Sequence, residues 1–260
     1  MWFHGVRRGC ALRGIRRFAH SAPIDMSVPH VELAVMKRKT PVTVRNIYCI
    51  GRNYVAHAEE LGNAVPQEEP VIFLKSSASL RGLNDRSPTA FPDETFHHEL
   101  EMVLLIGQDI PLGELQAGKE KECIRAVGLG LDMTRRGVQS QLKAQGYPWT
   151  TAKSFAGSAI VSPMTQIDSE VDLDDVSFEL EVRPSDETSF TKRQAGHVSL
   201  MVFNVAAQLR FLNSLGPLLR GDLVFTGTPA GVSNLNKGDA FRMRFTSGFT
   251  RHQVWHKGTL

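Results

Sequence analysis

Phe96-His97-His98-Glu99-Leu100-Glu101-Met102-Val103-Leu104-Leu105-Ile106-Gly107 sets how the rest of the chain is read. After the two histidines, charged and apolar residues alternate, and a continuous apolar run follows, which predicts a strand. Strand side chains repeat every two residues, so Glu99 and Glu101 point to one face. Two carboxylates on one face of a strand entering a core repel each other and lose hydration. Either that face is a solvated edge, or a divalent cation with hard oxygen ligands offsets the cost. His97 and His98 are adjacent and point opposite ways, so neither is expected as a metal ligand.

The surrounding composition narrows the classes. At 260 residues, 42% hydrophobic and 22% charged, the chain can bury a sizeable core. No apolar run is long enough to span a bilayer as a helix, so no membrane partner is expected. The formal charge of +3 is concentrated at one end: residues 1–22 hold Arg7, Arg8, Arg13, Arg16 and Arg17 and no acid. The remainder has 25 basic against 27 acidic residues, which gives no electrostatic footprint for nucleic acid. Cys10, Cys49 and Cys123 have neither disulfide-framework nor zinc-site spacing.

An arginine-rich, acid-free start is the pattern of a mitochondrial transit peptide, expected over 1–21, and it predicts a mitochondrial matrix protein. Residues 22–42, with Pro23, Pro29 and Pro41, read as a linker with one short strand at Val31–Val35. The body, 43–260, is expected to be one domain. It opens with a strand ending at Gly51, then a turn through Arg52-Asn53-Tyr54 and a short helix stopped by Gly62. On that helix His57 and Glu60 share a face, as a surface ion pair or an oriented general base. Val71–Lys75 is a strand with Lys75 at its mouth. Ala126–Thr134 is a strand whose glycines imply close backbone approach. It carries a third acid, Asp132. Arg136–Gln145 is helical, and Lys153 sits among small and apolar residues. Val176–Arg183 begins a hairpin, Leu200–Leu215 is a helix, and Leu223–Thr226 is a buried strand. Gly227–Val232 is a glycine-dense loop that suits an anion. Ala240–Phe245 is the last strand expected. Strands outnumber helices, so the body is β-rich α+β. Three separated carboxylates without cysteine partners favour Mg²⁺, Mn²⁺ or Ca²⁺ over zinc.

In order, the chain carries Gly51-Arg52-Asn53-Tyr54, His57, Glu60, Phe73-Leu74-Lys75, His97-His98-Glu99-Leu100-Glu101 and Leu131-Asp132-Met133-Thr134. Gln139, Pro148-Trp149-Thr150, Ala152-Lys153-Ser154-Phe155 and Thr226-Gly227-Thr228-Pro229 follow. This series resembles the fumarylacetoacetate hydrolase family over roughly Asn46 to Phe245. It is most similar to the family's short mitochondrial acylpyruvases, which are also described as oxaloacetate decarboxylases and tautomerases. The resemblance implies a mixed β-roll of curled sheets and a homodimer. It implies Mg²⁺ or Mn²⁺ held by Glu99, Glu101 and Asp132, a His57–Glu60 base dyad on a lid helix, and Lys153 as the active-site lysine. It implies substrate contacts from Arg52, Lys75, Arg136, Gln139 and Thr228.

The expected activity is hydrolysis of the C–C bond of 3-acylpyruvates through an enolate stabilised by metal and Lys153. The alternatives on the same site are decarboxylation or tautomerisation of oxaloacetate, or isomerisation or decarboxylation of a 2-hydroxydienoate diacid. A catalytically silent metal-binding relative is the non-enzyme alternative.

Overall fold

The computed structural model describes residues 29–35, 38–83, 85, 91, 94–167, 171–248 and 252–260. The transit peptide expected over 1–21 lies outside the described residues. The first elements are β1 (His30–Val35), β2 (Arg38–Thr43), β3 (Ile47–Gly51), α1 (Val55–Glu60), β4 (Val71–Lys75) and β5 (Leu80–Gly82). Next come β6 (Phe96–His98), β7 (Leu100–Ile106), β8 (Ile124–Asp132), α2 (Arg136–Ala144), α3 (Thr150–Lys153), β9 (Ala159–Val161) and β10 (Met164–Gln166). The chain continues through β11 (Val176–Arg183), β12 (Thr191–His197), α4 (Val205–Leu215), β13 (Leu223–Phe225), β14 (Ser233–Leu235), β15 (Ala240–Ser247) and β16 (His252–Thr259).

A ten-stranded sheet runs β2-β1-β10-β8-β7-β13-β3-β4, with β9 also paired to β8 and β5 to β9. It is mixed: β1·β10, β13·β3 and β5·β9 are parallel, and the other pairs are antiparallel. Strand β8 changes partner along its length. Ala126 and Val127 face β10, whereas Gly130 to Asp132 face β9. That exchange splits and curls the sheet, and the result is the mixed β-roll that the resemblance implied. A four-stranded sheet, β12-β11-β15-β16, packs against it, and β14·β6 forms a small third sheet.

The apolar run that opened the reading is the middle of this structure. All seven residues of β7 are buried. Met102, Leu104 and Ile106 join the core shared with Phe178, Leu180 and Phe241 of the second sheet. Val103 and Leu105 pack on the opposite face with Ile47, Cys49 and Phe225. A strand covered on both faces has no polar face to alternate with, hence the unbroken run. Gly130, opposite Glu101, shows why β8 carries glycine. A Cβ there would stand 2.6 Å from the Phe225 ring and 2.8 Å from Val103. The expected close approach is therefore met by an aromatic ring.

Four local expectations change. The strand expected through Glu99 is interrupted there: β6 pairs with β14, and β7 pairs with β8. The stretch read as a linker with one strand carries two, since β1 and β2 form a hairpin and β1 joins β10. Pro41 is tolerated because β2 is an edge strand. Beyond the expected last strand lies β16, paired with β15 along its whole length. The helix expected from Leu200 begins at Val205. Asn204 caps it by accepting a hydrogen bond from Ala207 N at 2.9 Å.

Candidate active site

Strands β7 and β8 bring the three acids together. Glu101 is the second residue of β7, Glu99 lies in the break before it, and Asp132 ends β8. Asp132 N donates to the Glu99 carbonyl at 2.9 Å, which fixes the offset between the two segments. Glu99, Glu101 and Asp132 are all buried, and each offers a carboxylate oxygen within 4.8 Å of the others. The solvated-edge alternative for Glu99 and Glu101 is thus excluded.

Three cations converge on the acids. Lys153, the last residue of α3, places Nζ 2.7 Å from Glu99 Oε2, 2.6 Å from Asp132 Oδ2 and 2.7 Å from Thr134 Oγ1. Arg136, the first residue of α2, pairs with Glu99 Oε1 and donates to Gln139 Oε1 at 2.5 Å. Lys75 Nζ lies 2.7 Å from Asp132 Oδ1, at an angle that leaves this buried oxygen without a hydrogen bond. The Lys75 ammonium donates instead to the Lys153 and Met133 carbonyls.

The two glutamates therefore differ. Burial raises the Glu99 carboxyl, but the Lys153 ammonium and the Arg136 guanidinium outweigh it and hold Glu99 well below the usual carboxylate range. Burial also raises Glu101, and there the neighbouring Asp132 and Glu99 push it further up. Against them stand a hydrogen bond from Gly227 N at 2.7 Å and the nearby Lys153 ammonium. Burial lowers Lys153, but Asp132 and Glu99 reverse the sign and keep it charged.

Helix α1 faces this group. His57 is buried, and its Nδ1 lies 3.4 Å from Glu60 Oε2. Glu60 in turn accepts from Gly231 N at 3.1 and 3.2 Å. Burial pulls the His57 pKa down, with Glu99 and Glu60 partly opposing. A neutral imidazole donating from Nδ1 to Glu60 keeps Nε2 as its basic nitrogen. The loop after β13 was expected to suit an anion. The anions it holds are the protein's own: Glu101 on Gly227 and Glu60 on Gly231.

A pocket opens between α1, α2 and the acids. Arg52, His57, Glu99, Glu101, Arg136, Gln139, Lys153 and Thr228 line it, so most residues expected to act together share one cavity. Glu60 stands behind His57, and Asp132 behind Lys153. Lys75, expected at the substrate, instead backs Asp132 from beneath the pocket wall and is 3% exposed. It sits there because β4 ends beside β3 with its last side chain turned inward.

The sequence reading missed several lining or supporting residues. Phe73 and Trp149 meet edge to face at 6.2 Å. Lys153 Nζ lies 5.0 Å from the Phe73 ring centroid, and Arg52 Cζ 5.7 Å from that of Trp149. Both aromatics stand in motifs that carried the resemblance, which was the available signal. Lys143 of α2 reaches Asn63, just past α1, and both line the mouth. Gln194 is the one buried residue of polar β12, and alternation could not single it out. His98 is fully buried between Gln194 and Ser233, away from the acids' oxygens, and burial lowers its pKa to about 4. His97 Nδ1 accepts a long 3.4 Å hydrogen bond from Arg136. Neither histidine belongs to the acid cluster, as expected.

Comparison with known proteins agrees with this fold. The model of the fumarylacetoacetate hydrolase C-terminal family matches residues 46–255. The mitochondrial oxaloacetate tautomerase FAHD1 of Arabidopsis thaliana is 37% identical over 210 residues, 78% of this chain and 86% of that protein. The oxaloacetate tautomerase YcgM of Escherichia coli is 35% identical over 206 residues, 78% of this chain and 89% of that protein. Among solved structures, a fumarylpyruvate hydrolase from Pseudomonas aeruginosa in complex with Mn²⁺ and pyruvate superposes with a TM-score of 0.75 at 28% identity. That match covers 92% of this chain and 98% of the hydrolase.

Proposed function

This chain belongs to the fumarylacetoacetate hydrolase family, and on that premise we propose that it is a divalent-metal-dependent oxaloacetate tautomerase. This reverses the order of the sequence reading, which put acylpyruvate hydrolysis first. The names of the relatives support oxaloacetate chemistry, and so does the rim of the pocket. Arg52 and Lys143 add two cations beyond those paired with the acids. They suit the second carboxylate of a dicarboxylate better than the neutral acyl end of a 3-acylpyruvate.

The observation that carries the proposal is the convergence of three buried carboxylates, a buried lysine and a histidine–glutamate pair on one pocket. Glu99, Glu101 and Asp132 would hold Mg²⁺ or Mn²⁺. The fit rests on an all-oxygen donor set, an Asp132 Oδ1 that accepts no hydrogen bond, and a Glu101 carboxyl raised by burial and by the neighbouring Asp132 and Glu99. When bound, such an ion supplies positive charge where the enolate of a 2-oxo acid develops its negative charge. Lys153 adds a second positive charge on the same side, and Arg136 with Gln139 orients the substrate's carboxylate. Thr228 donates its hydroxyl proton to a substrate oxygen. His57, held by Glu60, moves the proton between the enol oxygen and C3 through Nε2. Phe73 and Trp149 keep water from that exchange.

The test is a kinetic panel on the purified protein with Mg²⁺. Enol-to-keto conversion of oxaloacetate should be accelerated and should stop after chelation. An unchanged enol decay rate would defeat the proposal. Acylpyruvate hydrolysis remains the second reading, favoured by the His57–Glu60 dyad, which could activate water as readily as it moves a proton. Release of acetate from acetylpyruvate measures it. We also propose a mitochondrial location, supported by the five arginines before residue 22 and by the mitochondrial name of the Arabidopsis relative. Failure of a fluorescent fusion of residues 1–40 to enter mitochondria would remove that part.

A further inference from the structure

Gln194 stands on β12, in the sheet that contributes no lining residue to the pocket, yet its amide reaches the wall. Two backbone groups fix its orientation. Leu100 N, which can only donate, lies 2.9 Å from Oε1. The Pro229 carbonyl, which can only accept, lies 2.9 Å from Nε2. Rotating the amide by half a turn would set donor against donor and acceptor against acceptor, both in a site 1% exposed.

The fixed amide dictates the polarity of its two side-chain neighbours. His98 Nδ1, 2.8 Å from Oε1, must carry a proton and donate it. In the neutral ring Nε2 then accepts from Ser233 Oγ at 2.9 Å. On the other side, Nε2 of Gln194 donates to Thr228 Oγ1 at 2.8 Å. The Thr228 hydroxyl is thereby used as an acceptor from behind, and its own proton must go elsewhere. Among the described residues the competing acceptor is the Pro229 carbonyl, which lies at a long 3.5 Å and already accepts the shorter 2.9 Å bond from Gln194, so it competes weakly. The remaining direction is the pocket that Thr228 lines.

We infer that Gln194 is a positioning residue that, oriented by Leu100 N and Pro229 O and braced by His98 and Ser233, commits Thr228 to donate its hydroxyl proton to an anionic oxygen of the ligand. The inference deepens the proposed function and rests on its placement of Thr228 at the substrate. It adds a specificity rule: the ligand atom at Thr228 must be an acceptor oxygen, so a group that presents only N–H donors there is rejected.

The test uses the full-length protein with Mg²⁺ and oxalate as the probe ligand, with affinity measured by calorimetry, so the outcome does not depend on which reaction is catalysed. Thr228→Val removes the hydroxyl at nearly constant volume. Gln194→Glu removes the rear donor, so Thr228 turns its proton backwards. Each should weaken oxalate by about tenfold or more, the scale of one hydrogen bond to a charged group. Because Gln194 acts through Thr228, the double variant should bind oxalate about as the single variants do, rather than with the ~100-fold loss of two independent effects. Thr228→Ser should keep wild-type affinity when Gln194 is present. Multiplying losses, or a Gln194→Glu protein that binds like wild type, would overturn the inference. If Gln194→Glu fails to fold, ¹⁵N shifts of His98 in the wild-type protein decide the matter. A protonated Nδ1 supports the inference, and a neutral ring protonated at Nε2 overturns it. Oxalate binding without tautomerase activity would defeat the proposed reaction while leaving the relay standing.

Discussion

The floor of the pocket and the helix proposed as its lid are built differently. On the floor, Glu99, Asp132, Lys153, Arg136 and Lys75 are locked by ion pairs, most of them deeply buried, and by neighbouring strands that leave each side chain little freedom. The lid helix α1 spans six residues and has no side-chain cap. Its functional pair is joined by one long 3.4 Å contact and anchored by Glu60 on Gly231 N. On the proposed function, the charge that would hold an ion is overdetermined, whereas the base that would move a proton makes few contacts. The lesson is that the dense ion-pair network lies where charge is stored, and the sparsely tied helix carries the residue proposed to move the proton.

The sharpest way to break this division is at the floor. Asp132→Asn keeps the shape but removes a charge from the triad. Oxaloacetate tautomerase activity should fall by at least about 10³-fold, with loss of Mg²⁺-dependent thermal stabilisation. Retained activity in a metal-stripped preparation would deny the floor its role. Lys153→Met comes next. It leaves Glu99 and Asp132 without their shared cation, at a cost of about 3–5 kcal/mol in the metal-free protein. Activity should fall about 10²–10³-fold, as for loss of one preorganised charge-stabilising donor. Part of the lost stability should return on adding Mg²⁺, which thermal melts with and without the ion would show.

The lid should respond in another currency. His57→Gln should lower kcat by about 10²–10⁴-fold while leaving Mg²⁺ affinity near wild type, as titration calorimetry would reveal. In the wild-type protein, burial lowers the His57 pKa below its ordinary 6.5. The base must be neutral, so the rate should be flat above that value and fall only as pH drops through a lower one. A fall beginning above 6.5 would mean that His57 is not the titrating base. The smallest effect on chemistry belongs to Gly130→Ala. Its Cβ would meet Phe225 at 2.6 Å beneath the floor. A stability loss of about 1–3 kcal/mol with a nearly unchanged KM is expected from denaturation and steady-state measurements.

The same contrast explains what could be read in the sequence. Strands β3, β4, β7, β8, β11, β13 and β15 announced themselves because burial writes apolar runs and alternation into the chain. The acids were conspicuous for the opposite reason: Glu99, Glu101 and Asp132 interrupt or end those runs. Strands β2 and β16 were missed because they are polar edges, whose partners are set by tertiary pairing. The displacement of Lys75 from pocket to underside follows from which way the end of β4 turns, which residue type cannot tell. Gln194 was invisible because a buried amide in a polar strand looks like a surface amide until its four partners are known. Motif order carried the site; hydrogen-bond polarity required coordinates.

Titration of Mn²⁺ into the chelator-treated wild-type protein, followed by calorimetry and by the loss of free-ion paramagnetic signal, tests the floor most directly. One saturable ion per chain, abolished by Asp132→Asn and tightened by oxalate, is the predicted result. Absence of saturable binding, or binding unaffected by Asp132→Asn, would contradict the assignment of Glu99, Glu101 and Asp132 as the metal centre.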